Sequence, residues 1–164
     1  MKKGWLLILL VFTSASGFAQ KCNYLEEKDG ETGIVMQKLM VNIKKDFLVY
    51  FSKGGGKRYM SFDITFTEIR KDLIRQGDTM ALQLSNDDFI FLRARKEATP
   101  VGKANDVFEM TTYFPEYELS SADFDRLLAA RITGIKMNFG KTFSVWEFED
   151  RDGKKMLEGA KCIK

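Results

Sequence analysis

Alternation over residues 60–67 constrains this chain more than any other stretch. Met60, Phe62, Ile64 and Phe66 fall on one side, and Ser61, Asp63, Thr65 and Thr67 on the other. A period of two belongs to a strand with one face buried and one in water. Residues 47–51 form an apolar run just upstream, and Ser52-Lys53-Gly54-Gly55-Gly56-Lys57 joins the two as a hairpin loop. Residues 34–43 read as an earlier strand, although their spacing also suits a helix. Residues 79–84 and 89–93 flank Ser85-Asn86-Asp87-Asp88, which has the composition of a tight turn. Residues 107–114 alternate again and stop at Pro115, which belongs at a strand end or a sheet edge because it cannot donate to a ladder.

One helix interrupts the pattern. Ser120 or Ser121 can cap it, Asp123 sits near the positive end of its dipole, and Phe124, Leu127 and Leu128 make an i, i+3, i+4 stripe that would pack on the sheet. Gly134 is expected to end it. Ile135, Met137 and Phe139 and then residues 143–148 return to strand, and Asp150-Arg151-Asp152-Gly153 reads as the turn of a last hairpin. No repeat, linker or charge block divides the chain. The expectation is a mainly β (α+β) fold: an antiparallel sheet, sandwich or open barrel of about seven to eight strands, with one helix near 121–131.

The N-terminal residues carry an address. Met1-Lys2-Lys3 is a short positive segment, residues 5–12 are apolar, and Gly17-Phe18-Ala19 is a small-x-small cleavage site. That is the layout of a secretory signal peptide, with an apolar run too short to span a bilayer. Residues 1–19 are then the signal peptide and residues 20–164 a single β-rich domain, with no transmembrane helix in the mature chain. It would work in the periplasm or outside the cell.

Composition removes several function classes. Taking Lys2 and Lys3 from the 26 basic side chains leaves 24 against 23 acidic ones, so the chain's charge of +3 is largely a property of the leader. Nucleic-acid binding loses its electrostatic support. The chain has no histidine and only two cysteines. Ser-His-Asp and Cys-His nucleophiles are therefore excluded, as are zinc sites using histidine or four thiolates. No cofactor or metal is expected. Cys22 and Cys162 lie near opposite ends of the mature chain, and in an oxidising compartment they read as one disulfide closing it. A loop of that length contributes about 5 kcal/mol in the chain-entropy account. A surface lipoprotein anchored at Cys22 is disfavoured, because Lys21 stands where a small residue is needed.

Four groups of residues have candidate chemistry. Lys53, Lys57 and Arg58 surround the triglycine loop and could meet an anionic surface such as a lipid head group or an acidic glycan. Their spacing is not that of a phosphate-binding loop, and a strand follows where a helix is required. Asp150-x-Asp152-Gly153 opens like a calcium loop, but its twelfth position is Lys161 rather than a bidentate glutamate, so turn chemistry is expected; Asn86-Asp87-Asp88 has the same reading. Glu147 and Glu149 should emerge on one face of a strand, roughly 7 Å apart by strand geometry, a separation a glycosidase could use. A solvated face paired with Arg93, Arg95 or Lys136 is the plainer account. Among the aromatics, Phe114 and Trp146 are assigned to the core, Tyr113 is a further candidate, and Tyr117, beside Pro115 and two glutamates, is the expected exposed binding residue.

Several stretches together resemble the small exported β-rich proteins of unknown function common in Bacteroidetes. They are Phe18-Ala19-Gln20, Cys22-Asn23-Tyr24, Asp29-Gly30-Glu31-Thr32-Gly33, the strand-helix passage over 113–128, Ile132-Thr133-Gly134-Ile135-Lys136 and the closing Cys162. The resemblance implies export and a β-rich domain, and supplies no catalytic residues. The leading expectation is a non-enzymatic binding module for an envelope or extracellular protein, a hydrolase inhibitor being one version. The alternatives are a carrier enclosing a small apolar ligand above Phe124, Leu127 and Leu128, and a hydrolase using Glu147 or Glu149.

Overall fold

The computed structural model describes residues 22–30, 32–104 and 109–164; the expected signal peptide lies outside them. The inward residues of the alternating runs define the architecture. β1 (Leu25–Lys28), β2 (Val35–Lys44), β3 (Phe47–Gly54) and β4 (Lys57–Phe66) form an antiparallel meander. β5 (Thr79–Leu84) and β6 (Phe89–Arg93) make the second expected hairpin. β7 (Val101–Ala104), β8 (Glu109–Tyr113) and β9 (Glu116–Leu119) follow, then α1 (Ser121–Ala129), β10 (Ile132–Phe139), β11 (Thr142–Glu147) and α2 (Asp150–Cys162). The fold is mainly β, with antiparallel sheets, one of which curves into a half-barrel.

Two sheets result. The first has seven strands in the order β1-β2-β3-β4-β8-β7, with β9 also on β4, and the second runs β11-β10-β5-β6. The far edge of β4 is shared: residues 64–66 pair with β8 and residues 58–61 with β9. The change of partner falls at Pro115, which has no N–H to give a ladder but whose carbonyl accepts the Phe62 N–H at 3.0 Å. An isolated bridge between Ala94 and Tyr117 stitches the end of β6 to β9, so the sheets join around one core. Strands β1, β7 and β9 have four residues each, too short to register as a period, so the described strands outnumber those expected from sequence.

The core is aromatic and filled. Phe47, Phe62, Tyr113 and Phe139 are buried, with Phe47 and Phe62 5.7 Å apart edge to face and Tyr113 4.9 Å from Phe139. α1 is as expected: the Ser120 hydroxyl accepts the Asp123 N–H at 3.1 Å, Phe124 and Leu127 are buried, and Leu128 packs half-buried beside them. It ends at Ala129, and Gly134 lies inside β10 rather than at the helix terminus. Where Phe51, Leu127, Ile132, Met156 and Ala160 meet, the space left is too narrow to admit a water molecule.

The C-terminal expectation is corrected. Asp150-Arg151-Asp152-Gly153 is not a hairpin turn but the first turn of α2, a helix of 13 residues. Its buried positions Asp152, Met156, Gly159 and Ala160, continued by the C-cap Ile163, recur at helical spacing. Asp150 and Asp152 in the first turn suit the positive end of the helix dipole. The glycines serve contact rather than turning. A Cβ on Gly153 would lie 2.6 Å from the Ile132 carbonyl oxygen, and one on Gly159 2.5 Å from Val41 Cγ2. Each glycine weakens the isolated helix by about 1 kcal/mol, and close packing against β2, β3 and β10 offsets the loss. The expected disulfide is present: Cys22 is bonded to Cys162 at a Cα separation of 5.7 Å, fastening the end of α2 to the segment before β1.

Candidate functional site

The structure redistributes the residues singled out from sequence. Tyr117 is not exposed. It is 1% exposed, packs edge to face on Phe62 at 6.0 Å, and burial pushes its phenol far above the usual range. The alternation Glu116-Tyr117-Glu118-Leu119 on β9 turns it inward, a period-two signal visible in the sequence but only four residues long. Phe114, assigned to the core, is 52% exposed where the chain swings toward Pro115. Trp146 does pack on the core, 5.0 Å from Phe47, and Tyr113 is buried with its hydroxyl donating to the Asp72 carbonyl at 2.8 Å.

Lys53, Lys57 and Arg58 do come together, along a shallow groove of about 340 Å³ with Glu26, Val35 and Gln37. All three are engaged. Lys57 pairs with Glu118 at 3.0 Å, Lys53 donates to the Lys164 backbone oxygen at 3.3 Å, and Arg58 donates to the Ile163 carbonyl at 3.4 Å while lying 4.5 Å over the Phe124 ring. These contacts brace the hairpin against both helices. Glu147 and Glu149 do not share a strand face, because β11 ends at Glu147 and Glu149 is the N-cap of α2. Arg95, offered as their partner, belongs elsewhere.

Two outer sheet faces concentrate what remains. On the four-stranded sheet, the strand registers set Phe91, Ala81, Lys136 and Val145 in one row and Phe89, Gln83, Gly134 and Glu147 in the next. Phe91 is 65% exposed and Val145 55%, with Phe143 and Phe89 also exposed. Phe89 and Phe91 stack at 6.4 Å, and the Lys136 ammonium lies 4.2 Å over Phe143. Between Phe91 and Val145 runs an apolar groove of about 380 Å³.

The outer face of the seven-stranded sheet is mixed, with Met40 exposed on β2 beside a polar group of side chains, and it is covered at one side. The turn between β1 and β2 is held by Asp29, which accepts the Thr32 N–H at 2.8 Å and its hydroxyl at 2.9 Å. Arg95 then bridges Asp29 at 3.1 Å and Glu116 at 2.6 Å, all three well shielded from water. The Thr32 hydrogen bonds, with Arg95 behind them, hold the Asp29 carboxyl well below the usual carboxylate range. Between turn and sheet lies a cleft of about 350 Å³ lined by Tyr50, Ser52, Ser61 and Asp63 from β3 and β4. The Tyr50 hydroxyl donates to Asp63 Oδ2 at 3.2 Å, and Lys38 lies 4.6 Å over the Tyr50 ring while pairing with Glu27 at 3.2 Å. Burial, then the Asp63 charge, raises the Tyr50 phenol above its ordinary value. Asp63 Oδ1 is buried and has no hydrogen-bond partner among the described residues.

Compared with protein-family models, curated proteins and solved structures, the chain matches none. Among the described residues no group of three or more acidic or cysteine side chains is placed to hold a metal, and no helix is long and apolar enough to cross a membrane.

Proposed function

We propose that this chain is an exported, non-enzymatic binding module that docks a protein partner of the envelope or extracellular space on the outer face of its four-stranded sheet. The observation carrying this reading is the exposed set Phe89, Phe91, Phe143 and Val145 around one groove. Large apolar side chains gathered on one exposed face, rather than scattered singly, mark interaction surfaces. The charges around the groove specify the partner's chemistry. Arg93 stands at the β6 end and Lys136 between the strands, while Glu147 lies at the opposite corner. A partner that fits presents an apolar ridge with acid facing Arg93 and Lys136 and a base facing Glu147. The Cys22–Cys162 disulfide supports an oxidising workplace.

The test is a paired capture from envelope extract, using the oxidised protein and its Phe91→Ser, Val145→Ser double variant. The expected result is one protein retained by the parent, lost by at least tenfold with the double variant, and retained normally by Lys53→Ala as a control on the braced hairpin. Equal retention by parent and double variant overturns the reading. So does sedimentation showing that the parent self-associates through the same two residues, since the face is then a contact between copies of this chain.

A further inference from the structure

We infer that the cleft over the seven-stranded sheet is a second, independent binding site, and that it takes a small acidic sugar of the uronic-acid class. Three features of the cleft select that chemistry. The first is an acceptor in need of a donor. Asp63 accepts from Tyr50 through Oδ2, while Oδ1 is buried and unpartnered among the described residues. A carboxylate oxygen removed from water without a donor is costly, and a ligand hydroxyl entering beside it supplies one. The second is a pair of rim lysines outside the ion pairs, in a lining of three lysines and four carboxylates whose charges balance once Arg95 is counted. Lys38 is paired with Glu27, and Arg95 occupies Asp29 and Glu116, but Lys28 and Lys96 line the cleft with no salt bridge among the described residues. They suit one carboxylate. The third is a mixture of hydroxyl and aromatic surface. Ser52 and Ser61 both donate and accept, and the half-exposed ring of Phe114 offers an apolar plane at the mouth.

A ring bearing several hydroxyls, one carboxylate and an apolar C–H face matches all three at once. Alternatives match fewer. A fully ionised inorganic anion such as sulfate satisfies the lysines but brings no donor to Asp63. A neutral sugar satisfies Asp63 and the serines but leaves both lysines unused. The volume of about 350 Å³ is at the small end of ligand pockets and holds one or two sugar rings. The site is pre-formed, because the Asp29–Arg95–Glu116 ion triad fixes the covering turn before any ligand arrives.

The experiment is a titration of the isotopically labelled, oxidised protein with D-galacturonate and D-glucuronate, and with D-galactose and D-glucose as neutral partners of the same shape, followed by amide chemical shifts. The expected result is saturable shifts around Ser52, Ser61 and Lys96 with at least one uronate, and affinity at least tenfold weaker for the matching neutral sugar. Asp63→Asn replaces the unpartnered acceptor with a donor while leaving an oxygen for Tyr50, so it should weaken uronate binding at least tenfold without lowering the melting temperature. The exposed pair Lys28→Ala, Lys96→Ala should weaken the uronate toward the neutral sugar and leave the neutral sugar unchanged. No saturable shift with either uronate at tens of millimolar overturns the inference. Equal binding of uronate and neutral sugar, or full retention by Asp63→Asn, overturns it as well. None of these outcomes bears on the four-stranded face, which the capture experiment tests separately.

Discussion

The two outer sheet faces are built by the same alternation and have opposite character. On β5, β6, β10 and β11 the outward positions include Phe89, Phe91, Phe143 and Val145. On β2, β3 and β4 they include Lys38, Tyr50, Ser61 and Asp63, and a turn pinned by Arg95 folds over them. The inward positions of both sheets are almost all apolar, Thr111 on β8 being buried with its hydroxyl bonded to the Glu68 and Arg70 backbone, because burial of that face drives folding. Nothing in folding demands anything of the outward positions beyond solubility, so their composition is free to record use. On the readings proposed above, exposed aromatics on one side and a roofed polar cleft on the other would serve two modes of recognition, one for a surface and one for a small solute.

The largest expected separation between the faces comes from the disulfide. Cys22 lies three residues before β1, whose end carries the wall of the cleft, and Cys162 ends α2, which packs on both sheets. Replacing both cysteines by serine should cost about 2–5 kcal/mol in global stability, measured by denaturant titration. Native-state hydrogen exchange should show more. Amides of β1 and the start of β2 lose protection by a larger factor than those of β5, β6 and β10, because Cys22 lies just before β1 whereas the second sheet meets the cross-link only through α2. Uniform loss over both sheets would show that the cleft wall has no separate fragility and would remove that contrast.

How far this division was legible in the sequence depends on range. The inward face was legible: Met60, Phe62 and Ile64, then Met80, Leu82 and Leu84, announce themselves by period. So was α1, from a cap and a stripe contained within ten residues. α2 was not, because Asp-x-Asp-Gly carries a strong local turn signal. Gly153 and Gly159 are there for what the helix touches, the Ile132 carbonyl and Val41, and those neighbours lie far away along the chain. The apolar outer face was hidden for another reason. Phe89-Ile90-Phe91-Leu92 and Phe143-Ser144-Val145-Trp146 are nearly continuous apolar runs, in which period two cannot say which member faces water. The cleft was hidden by register. Tyr50 and Asp63 sit thirteen residues apart, and only the β3–β4 pairing and the approach of Asp29 and Gly30 bring them into one pocket.

A smaller effect should appear at low pH, on the cleft side. The Asp29 carboxyl titrates below its ordinary range, so its unfolded value, about 4, lies above its folded one. The stability it contributes is complete above about pH 4 and is lost as pH falls toward the folded value. The stability difference between the parent and Asp29→Asn should therefore be constant from pH 7 to about pH 4 and shrink below that. Followed by amide exchange, the Thr32 and Gly33 region should open in acid while Phe91 and Val145 keep their protection. A difference that stays flat down to pH 2 would mean that Asp29 is not the pin, and that the turn is held over the sheet by something other than the Arg95 triad.

The smallest effect on stability belongs to the apolar face, and its smallness is the point. Phe91 projects into water with Phe89 as its stacked neighbour, and Ala81 lies beside it across the strand. Removing its ring takes little from the core, so Phe91→Ser should change unfolding free energy by no more than about 0.5 kcal/mol. Phe62→Ala on the inward face of β4 should cost about 3–5 kcal/mol by leaving a cavity among Phe47 and Tyr117. Chemical denaturation of the two variants side by side measures both. A side chain that is large, apolar, exposed and dispensable for folding is one whose presence folding does not explain. If Phe91→Ser instead destabilises as Phe62→Ala does, the ring belongs to the structure, and the reason for assigning this face to a partner disappears.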